Sequence, residues 1–516
     1  MNLFNRQFKV TILLLILVEE LSFLGYLLPM LNGLFFWLIV ILALGLAVWR
    51  LESAVWLVLI ELMIGSKGYL FFAELFGAKI SIRIALWSIV MLVWLAKTLV
   101  VLIREKKAGT ELRNFFLSLK AGERRSLALL ALCVSWGFLN GLLLTRNGLS
   151  DTFLDFNGWL FFLLIFPLSS VLKNRENFDR LLPLLAAAVV WLAGKTFFMA
   201  FIFSHATMDS AAFRLYRWVR VSGVGEITQV KGGFFRIFFQ SQIYSLFSLL
   251  LLSVTLVGQI IKSKISNLLI SKNFWLNFAG LGFLLTVLLF SMSRSFWLGL
   301  AAGWLLLIPY LYLETKKINQ SFLKKAAASA MIFLAVSMFG VALTVLTVTF
   351  PIPPAIGGFD AGSLLSSRLD SDEAAVISRW ELLPKLWQKI LSAPVLGAGF
   401  GDKLTYRSSD PRQQLSPNHG IFTTYAFEWG WLDIWLKLGF VGLSVYLVLL
   451  YQLAKNAFQN KVSGLSGSLL TYGLFCSLIA LTVVNFFSPY LNHPLGIGFL
   501  VFLFAISQNS VTAHRQ

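Results

Sequence analysis

Apolar runs long enough to cross a bilayer recur from one end of this chain to the other, and no other feature limits its fold so severely. A helix that spans hydrocarbon needs about 20 mostly apolar residues, and a backbone in lipid must satisfy its own hydrogen bonds. Fourteen runs can be read, near residues 8–29, 34–49, 51–66, 82–103, 126–145, 157–172, 181–203, 234–261, 273–291, 296–313, 326–349, 429–454, 466–487 and 495–510. The second and third are short and suit a tight hairpin. Of the 516 residues, 58% are hydrophobic and 13% charged, against about 25% charged in a soluble domain. A soluble protein with one anchor is excluded. The expected fold class is all-α and integral to a membrane, with about 12–14 transmembrane helices.

The net charge of +19 does not point to nucleic acid, because the basic residues sit in short loops between spans. Arg6 and Lys9, Arg50, the cluster Arg104 to Arg125, Lys173 to Arg180, Lys262 to Lys272, Lys316 to Lys325, Lys455 and Lys461 fall on one side of an alternating bundle. The positive-inside rule puts that side, and both termini, in the cytoplasm. The first run is too long for a signal-peptide core and lacks a small-residue cleavage site, so it reads as a retained span. Cys133 and Cys476 lie inside apolar spans, as small packing residues rather than a disulfide or metal framework. Lys97 and Lys195 lie towards span ends, where snorkelling suffices.

Two outer segments break the charge rule. Residues 204–236 carry Arg214, Arg217, Arg220, Lys231 and Arg236, and guanidinium forks suit phosphate oxygens. Arg236 is expected to open the eighth span at membrane level. The second segment, 350–428, is the one large soluble piece, and it divides the chain into 1–349, 350–428 and 429–516. Between the ninth and tenth spans, Ser293-Arg294-Ser295 leaves almost no loop, so Arg294 belongs at the membrane boundary, where a charge usually faces a polar cavity.

In the long segment, Ser378-Arg379-Trp380-Glu381 has the form of a capping box with Ser378 as N-cap. Trp380, Leu383, Trp387, Ile390 and Leu391 follow at helical spacing, so an amphipathic helix near 379–392 is expected on the membrane surface, ending near Pro394. The glycines of Gly397-Ala398-Gly399-Phe400-Gly401 follow no strand and make no dinucleotide fingerprint. His205 and His419 lie in the two large outer segments, His493 near a short outer turn and His514 in the tail. A loop histidine such as His419 can serve as a general base, and Glu428 and Asp433 are alternatives. Asp370-Ser371-Asp372 looks like the metal-binding pair of nucleotide-sugar transferases, but an outward location argues against that chemistry.

Three stretches then resemble the O-antigen ligase and polymerase superfamily: SRSFWLGLAAGW at 293–304, SRWELLPKLWQKILSAPVLGAGFG at 378–401 and LKLGFVGLSVYL at 436–447. With the order of spans, the resemblance covers roughly residues 180–490. It implies a metal-independent glycosyltransferase of the GT-C type, without a cofactor, in a bacterial plasma membrane. Such an enzyme takes a glycan from undecaprenyl diphosphate and passes it to a hydroxyl on lipid A core, another glycan or a protein. By position, Arg294 and Arg379 match the family's diphosphate-holding arginines. Arg236 is a third, and Arg220 is added to the diphosphate set. His419 corresponds to the family's acceptor-assisting histidine, although its distance from Gly439 departs from the usual pattern. A polysaccharide or lipid-linked glycan flippase is the alternative, but the chain shows no internal repeat of the kind transporters carry. A peptidoglycan polymerase of the shape, elongation, division and sporulation group has similar lipid chemistry and fewer spans.

Overall fold

The computed structural model describes residues 3–75, 77–105, 121–206, 210–230, 233–356, 374–409, 419–459 and 465–512, with residues 362 and 414. In chain order come α1 (Arg6–Leu27), α2 (Pro29–Trp49), α3 (Leu51–Ile64), the hairpin β1 (Phe72–Leu75) and β2 (Ala78–Ser81), α4 (Ile82–Glu105), α5 (Ala121–Leu139), α6 (Leu149–Phe156), α7 (Ile165–Leu172) and α8 (Arg175–His205). A 3-10 stretch, Asn157–Leu164, joins α6 to α7. Then follow α9 (Ser210–Val221), the hairpin β3 (Gly225–Gln229) and β4 (Phe235–Phe239), α10 (Ile243–Lys262), the short α11 (Ile265–Ile270), α12 (Lys272–Ser291), α13 (Arg294–Leu305), α14 (Leu307–Lys317) and α15 (Phe322–Thr349). The chain closes with α16 (Ala374–Ser392), the hairpin β5 (Leu404–Arg407) and β6 (Ile421–Thr424), α17 (Gly430–Gln459), α18 (Leu465–Val484) and α19 (Pro494–Thr512).

Among the described residues, 11 helical segments are long and apolar enough to cross a membrane, and Leu469–Val484 and Pro494–Ser507 are shorter apolar helices. With the 14-residue α3, these account for the crossings read from the sequence, and the chain is an all-α integral membrane protein. Arg50 caps both α2 and α3, which makes them the tight hairpin expected. α10 packs on α18, α13 on α18, α12 on α15 and α17 on α5. The core of α10 is continuous, with Leu246, Leu249, Leu250, Val254 and Leu256 fully buried. α15 instead buries a narrow seam of Ala328, Val336, Gly340, Thr344 and Val348 and turns Met331, Leu334 and Met338 outward, as a lipid-facing helix should.

Consecutive crossings run antiparallel, so one end of the bundle collects the three β-hairpins, α9, the turn between α12 and α13, α16 and the connection from α18 to α19. Two expectations about this end change. Arg236 does not open a span, because Phe235–Phe239 pairs as a strand with Gly225–Gln229, Arg236 opposite Thr228, and α10 begins only at Ile243. The aromatic and β-branched run Phe-Arg-Ile-Phe-Phe favours that pairing. Ser378 is not an N-cap. The helix starts earlier, at Ala374, because Ala374-Ala375-Val376-Ile377 continues the helical run, and the buried Ser378 hydroxyl meets Ser408 Oγ at 2.7 Å instead.

Lys195 does not snorkel. It is 2% exposed and its Nζ lies 2.5 Å from Glu19 on α1, since burial inside a membrane bundle requires a partner for the charge. A second buried pair joins Arg83 of α4 to Glu61 of α3 through two hydrogen bonds of 2.7 and 3.1 Å, and Arg83 also donates to the Ser66 carbonyl at 2.6 Å. Lys97 keeps the expected end-of-span character, donating to the Ala47 carbonyl at 3.1 Å.

Candidate functional site

The site region rests on a broken helix. α17 is interrupted at Gly439, where φ is 71° and ψ 178°, a conformation that L side chains avoid. A break inside an apolar helix strands backbone groups, and the segment after α16 satisfies them. Phe440 N–H donates to the Pro394 carbonyl at 2.9 Å, Val441 N–H to Val395 at 3.2 Å, and Ala398 N–H to the Leu436 carbonyl at 2.7 Å. Gly397 (φ 76°) sits so close that an added Cβ would lie 2.5 Å from Gly439 N. The proline–glycine run at 394–401 and the glycine of the following span are therefore two halves of one joint. Lys437 secures it. Its ammonium lies 2.5 Å from Asp155 and 2.7 Å from Asp433, and Asp155 also accepts from Gly401 N–H at 2.8 Å.

Arg236 and Arg294 lie together at the reversal between α12 and α13, and Arg379 is linked to the neighbouring α18–α19 connection through Trp429 and Phe487. Arg236 on β4 donates from Nε to the Ser291 carbonyl at 2.8 Å, three residues before Arg294, with its guanidinium 4.7 Å from the Phe238 ring centroid. Met292 adopts a left-handed C-cap (φ 48°) and Ser293 the N-cap of the next helix. This tight reversal leaves Arg294 as the first residue of α13, half-buried. The Ser295 hydroxyl contacts Ser293 Oγ at 3.0 Å and Ser488 Oγ at 2.9 Å, joining the reversal to the α18–α19 connection.

Arg379 is linked to the same connection. It pairs with Glu428, and its carbonyl accepts from Trp429 Nε1 at 3.0 Å. The Trp429 ring lies 5.5 Å from Phe487, the neighbour of Ser488. α16 presents two apolar faces. Leu382, Leu386 and Ile390 are buried in a small second core with Ala398, Tyr406, Phe427 and Leu436. Trp380 and Trp387, by contrast, line an open groove of about 420 Å³ with Trp429, Trp431 and Phe486. The aromatic face read from the sequence is thus the outward one.

His419 lies exposed at the entry to β6 with φ 46°. Gly420 beside it accepts from Ser408 N–H at 2.8 Å, and Ser408 contacts Ser378, the neighbour of Arg379. Asp433 is buried and held by Lys437 and Asn492, while Glu428 is exposed and holds Arg379. Arg220 is not brought into this group; it lies in the last turn of α9. His205 bridges the carbonyls of Phe201 and Phe350 at 2.7 and 2.8 Å, and His493 caps α19 by accepting from Leu495 N–H at 3.3 Å. His205 thus ties α8 to the end of α15. Asp370-Ser371-Asp372, Lys231, Asn418 and His514 lie outside the described residues. Sequence reasoning missed Asp155 and Lys437, the buried pair that fixes the joint. Lys437, between Leu436 and Leu438, was the available signal, since a charge in an apolar span demands a partner.

Fold and site together define a multi-pass membrane protein with a broken helix and with Arg236, Arg294 and Arg379 at one end of its helix bundle. Residues 279–447 match the family model described as O-antigen ligase. That match covers about a third of the chain, from within α12 through α13, the long segment and the break in α17, and over those residues the chain is similar to the O-antigen ligase family. No curated protein matches the chain.

Proposed function

We propose that this protein transfers a glycan from undecaprenyl diphosphate to an acceptor hydroxyl at the outer face of a bacterial plasma membrane, with both termini in the cytoplasm. The observation that supports the reading is that Arg236, beside the Ser291 carbonyl, and Arg294 share the α12–α13 reversal, which touches the α18–α19 connection through Ser295 and Ser488, while Arg379 reaches that connection through Trp429 and Phe487. Cleavage of the bond between the anomeric carbon and the diphosphate leaves an electron pair on the diphosphate oxygen. Cations already fixed in a poorly hydrated site stabilise that charge most strongly as it forms. Arg236 and Arg294 are the diphosphate ligands in this proposal, and Arg379 is the third, oriented by Glu428.

The acceptor oxygen attacks the anomeric carbon and its proton passes to a base. His419 is assigned that role, because its ring is open to an incoming acceptor. Asp433 is engaged by Lys437 and Asn492, and Glu428 by Arg379. The acceptor is lipid A core, a growing polysaccharide or a protein. Residues 350–428 form the catalytic segment between two transmembrane parts, 1–349 and 429–516.

The test is transfer from purified undecaprenyl-diphosphate-linked oligosaccharide to a panel of acceptors, comparing wild type with Arg294→Ala. Transfer that collapses in a folded variant supports the reading, and the productive acceptor separates ligase from polymerase. Absence of transfer by wild type, together with movement of the same lipid across liposomes, would establish the flippase instead.

A further inference from the structure

α9 is an amphipathic helix that crosses the end of α1. Its inner edge is Ala212, Trp218 and Val219, all buried. Trp218 donates from Nε1 to Ser22 Oγ at 3.1 Å and packs edge-on against Phe23 at 5.8 Å. The remaining surface carries Arg214, Arg217 and Arg220, all exposed, at a three-residue spacing that forms one stripe. The helix contains no acidic residue. The guanidiniums of Arg217 and Arg220 lie 5.9 and 5.3 Å from the rings of Phe213 and Tyr216. Stacking of this kind fixes the plane of the guanidinium and leaves its N–H edge turned outward.

Lys67 adds another exposed cation beside the helix end, where its N–H donates to the Gly223 carbonyl at 3.2 Å. Phe213 and Val221 flank the stripe and are 48% and 46% exposed. Apolar side chains next to outward guanidiniums, at the end of a transmembrane bundle, match the boundary between acyl chains and phosphates. The stripe also stands apart from the arginines of the proposed donor site. α9 feeds into β3 at Gly225, opposite Phe239, whereas Arg236 lies opposite Thr228, about 10 Å further along the strands at the usual rise.

We propose that the arginine face of α9 is a second anion-binding site, which takes the phosphate-bearing headgroups of lipids in the adjoining leaflet. The guanidiniums of Arg217 and Arg220 each offer a two-pronged donor to a phosphate, and the flanking Phe213 and Val221 set the depth of the helix. This inference stands on membrane insertion alone and does not require glycan transfer.

The experiment places the full chain in nanodiscs of equal parts phosphatidylglycerol and phosphatidylcholine, and reads the retained lipids by native mass spectrometry. Wild type should retain phosphatidylglycerol several-fold over phosphatidylcholine. That preference should drop in the triple variant Arg214→Gln, Arg217→Gln, Arg220→Gln and persist in Arg146→Gln, which replaces an exposed arginine outside both sites. If the triple variant does not insert, Arg217→Gln and Arg220→Gln singly should each lower the preference. Inorganic phosphate added to wild type should not displace the lipid; displacement would make this a site for free anions. A wild type without preference, or variants that keep it in full, would overturn the proposal. Because no transfer is measured, its failure leaves the glycosyltransferase reading intact, and the reverse also holds.

Discussion

The ammonium of Lys437 lies 2.5 Å from the carboxylate of Asp155, a residue 282 positions earlier in the chain. Both side chains are almost fully buried, and Asp433 shares the same ammonium. Lys437→Met would leave two carboxylates without their cation, and removing one partner of a buried pair costs about 3–5 kcal/mol. Asp155→Asn keeps the Lys437–Asp433 contact and should cost less. Unfolding midpoints in detergent check the ranking: Lys437→Met should fall clearly below Asp155→Asn, and equal losses would refute the shared-cation account.

The joint at Gly439 makes a sharper claim. An alanine there would carry its Cβ within 2.1 Å of the Val395 carbonyl oxygen at a positive φ. Gly439→Ala should therefore destabilise the protein by about 2 kcal/mol or more. Gly33, on α2, has nothing within 4 Å of an added Cβ, so Gly33→Ala should be neutral or gain up to about 1 kcal/mol. Protease sensitivity of the chain near residues 394–401 is the readout, and resistance in Gly439→Ala would contradict the joint.

Arg236 and Arg294 should behave as charge stabilisers of the reaction. Replacing either by Gln is expected to reduce turnover by roughly 10²–10³-fold, with a smaller effect on donor binding. Lysine should restore little at Arg236, where the Nε–H also holds the Ser291 carbonyl, a second bond that an ammonium cannot make in the same geometry. Steady-state transfer kinetics decide, and an Arg236→Lys variant with full turnover would count against the bidentate role.

His493 provides a pH test independent of catalysis. Burial, with Arg83 and Lys67 nearby, pushes its imidazole down to about 3, against about 6.5 in an unfolded chain. The unfolded state therefore takes up a proton below about pH 6.5 that the folded state refuses until about pH 3. Stability should fall as pH drops through that window, by roughly 1.4 kcal/mol per unit. Thermal unfolding at pH 7 and pH 5 should show a smaller drop for His493→Gln than for wild type; parallel drops would exclude the histidine as the cause.

The spans were legible because hydrocarbon demands long uninterrupted apolar helices, and their order follows from the runs alone. The arginine motifs were legible through the resemblance, and Ser293-Arg294-Ser295 does occupy a reversal with almost no loop. Partner choice was not legible. Nothing in the local pattern around Lys195 names Glu19, 176 residues away, and nothing around Arg83 names Glu61, because ion pairing across helices depends on bundle geometry. The strand at Arg236 was hidden for another reason: an aromatic run next to an apolar span carries the same hydropathy as the span itself. In α9 the charges drew attention to an anion, while the helical spacing that separates Arg220 from Arg236 went unread.

The repair of the broken α17 by residues 394–398 also sets the terms on which the long segment can be re-engineered. Residues 374–401 are wired into the bundle through backbone bonds on both sides of Gly439, so transplanting the whole segment from a relative would unseat a membrane helix. Acceptor preference, if it is to be altered without rebuilding the bundle, should be altered through side chains that leave these backbone bonds in place.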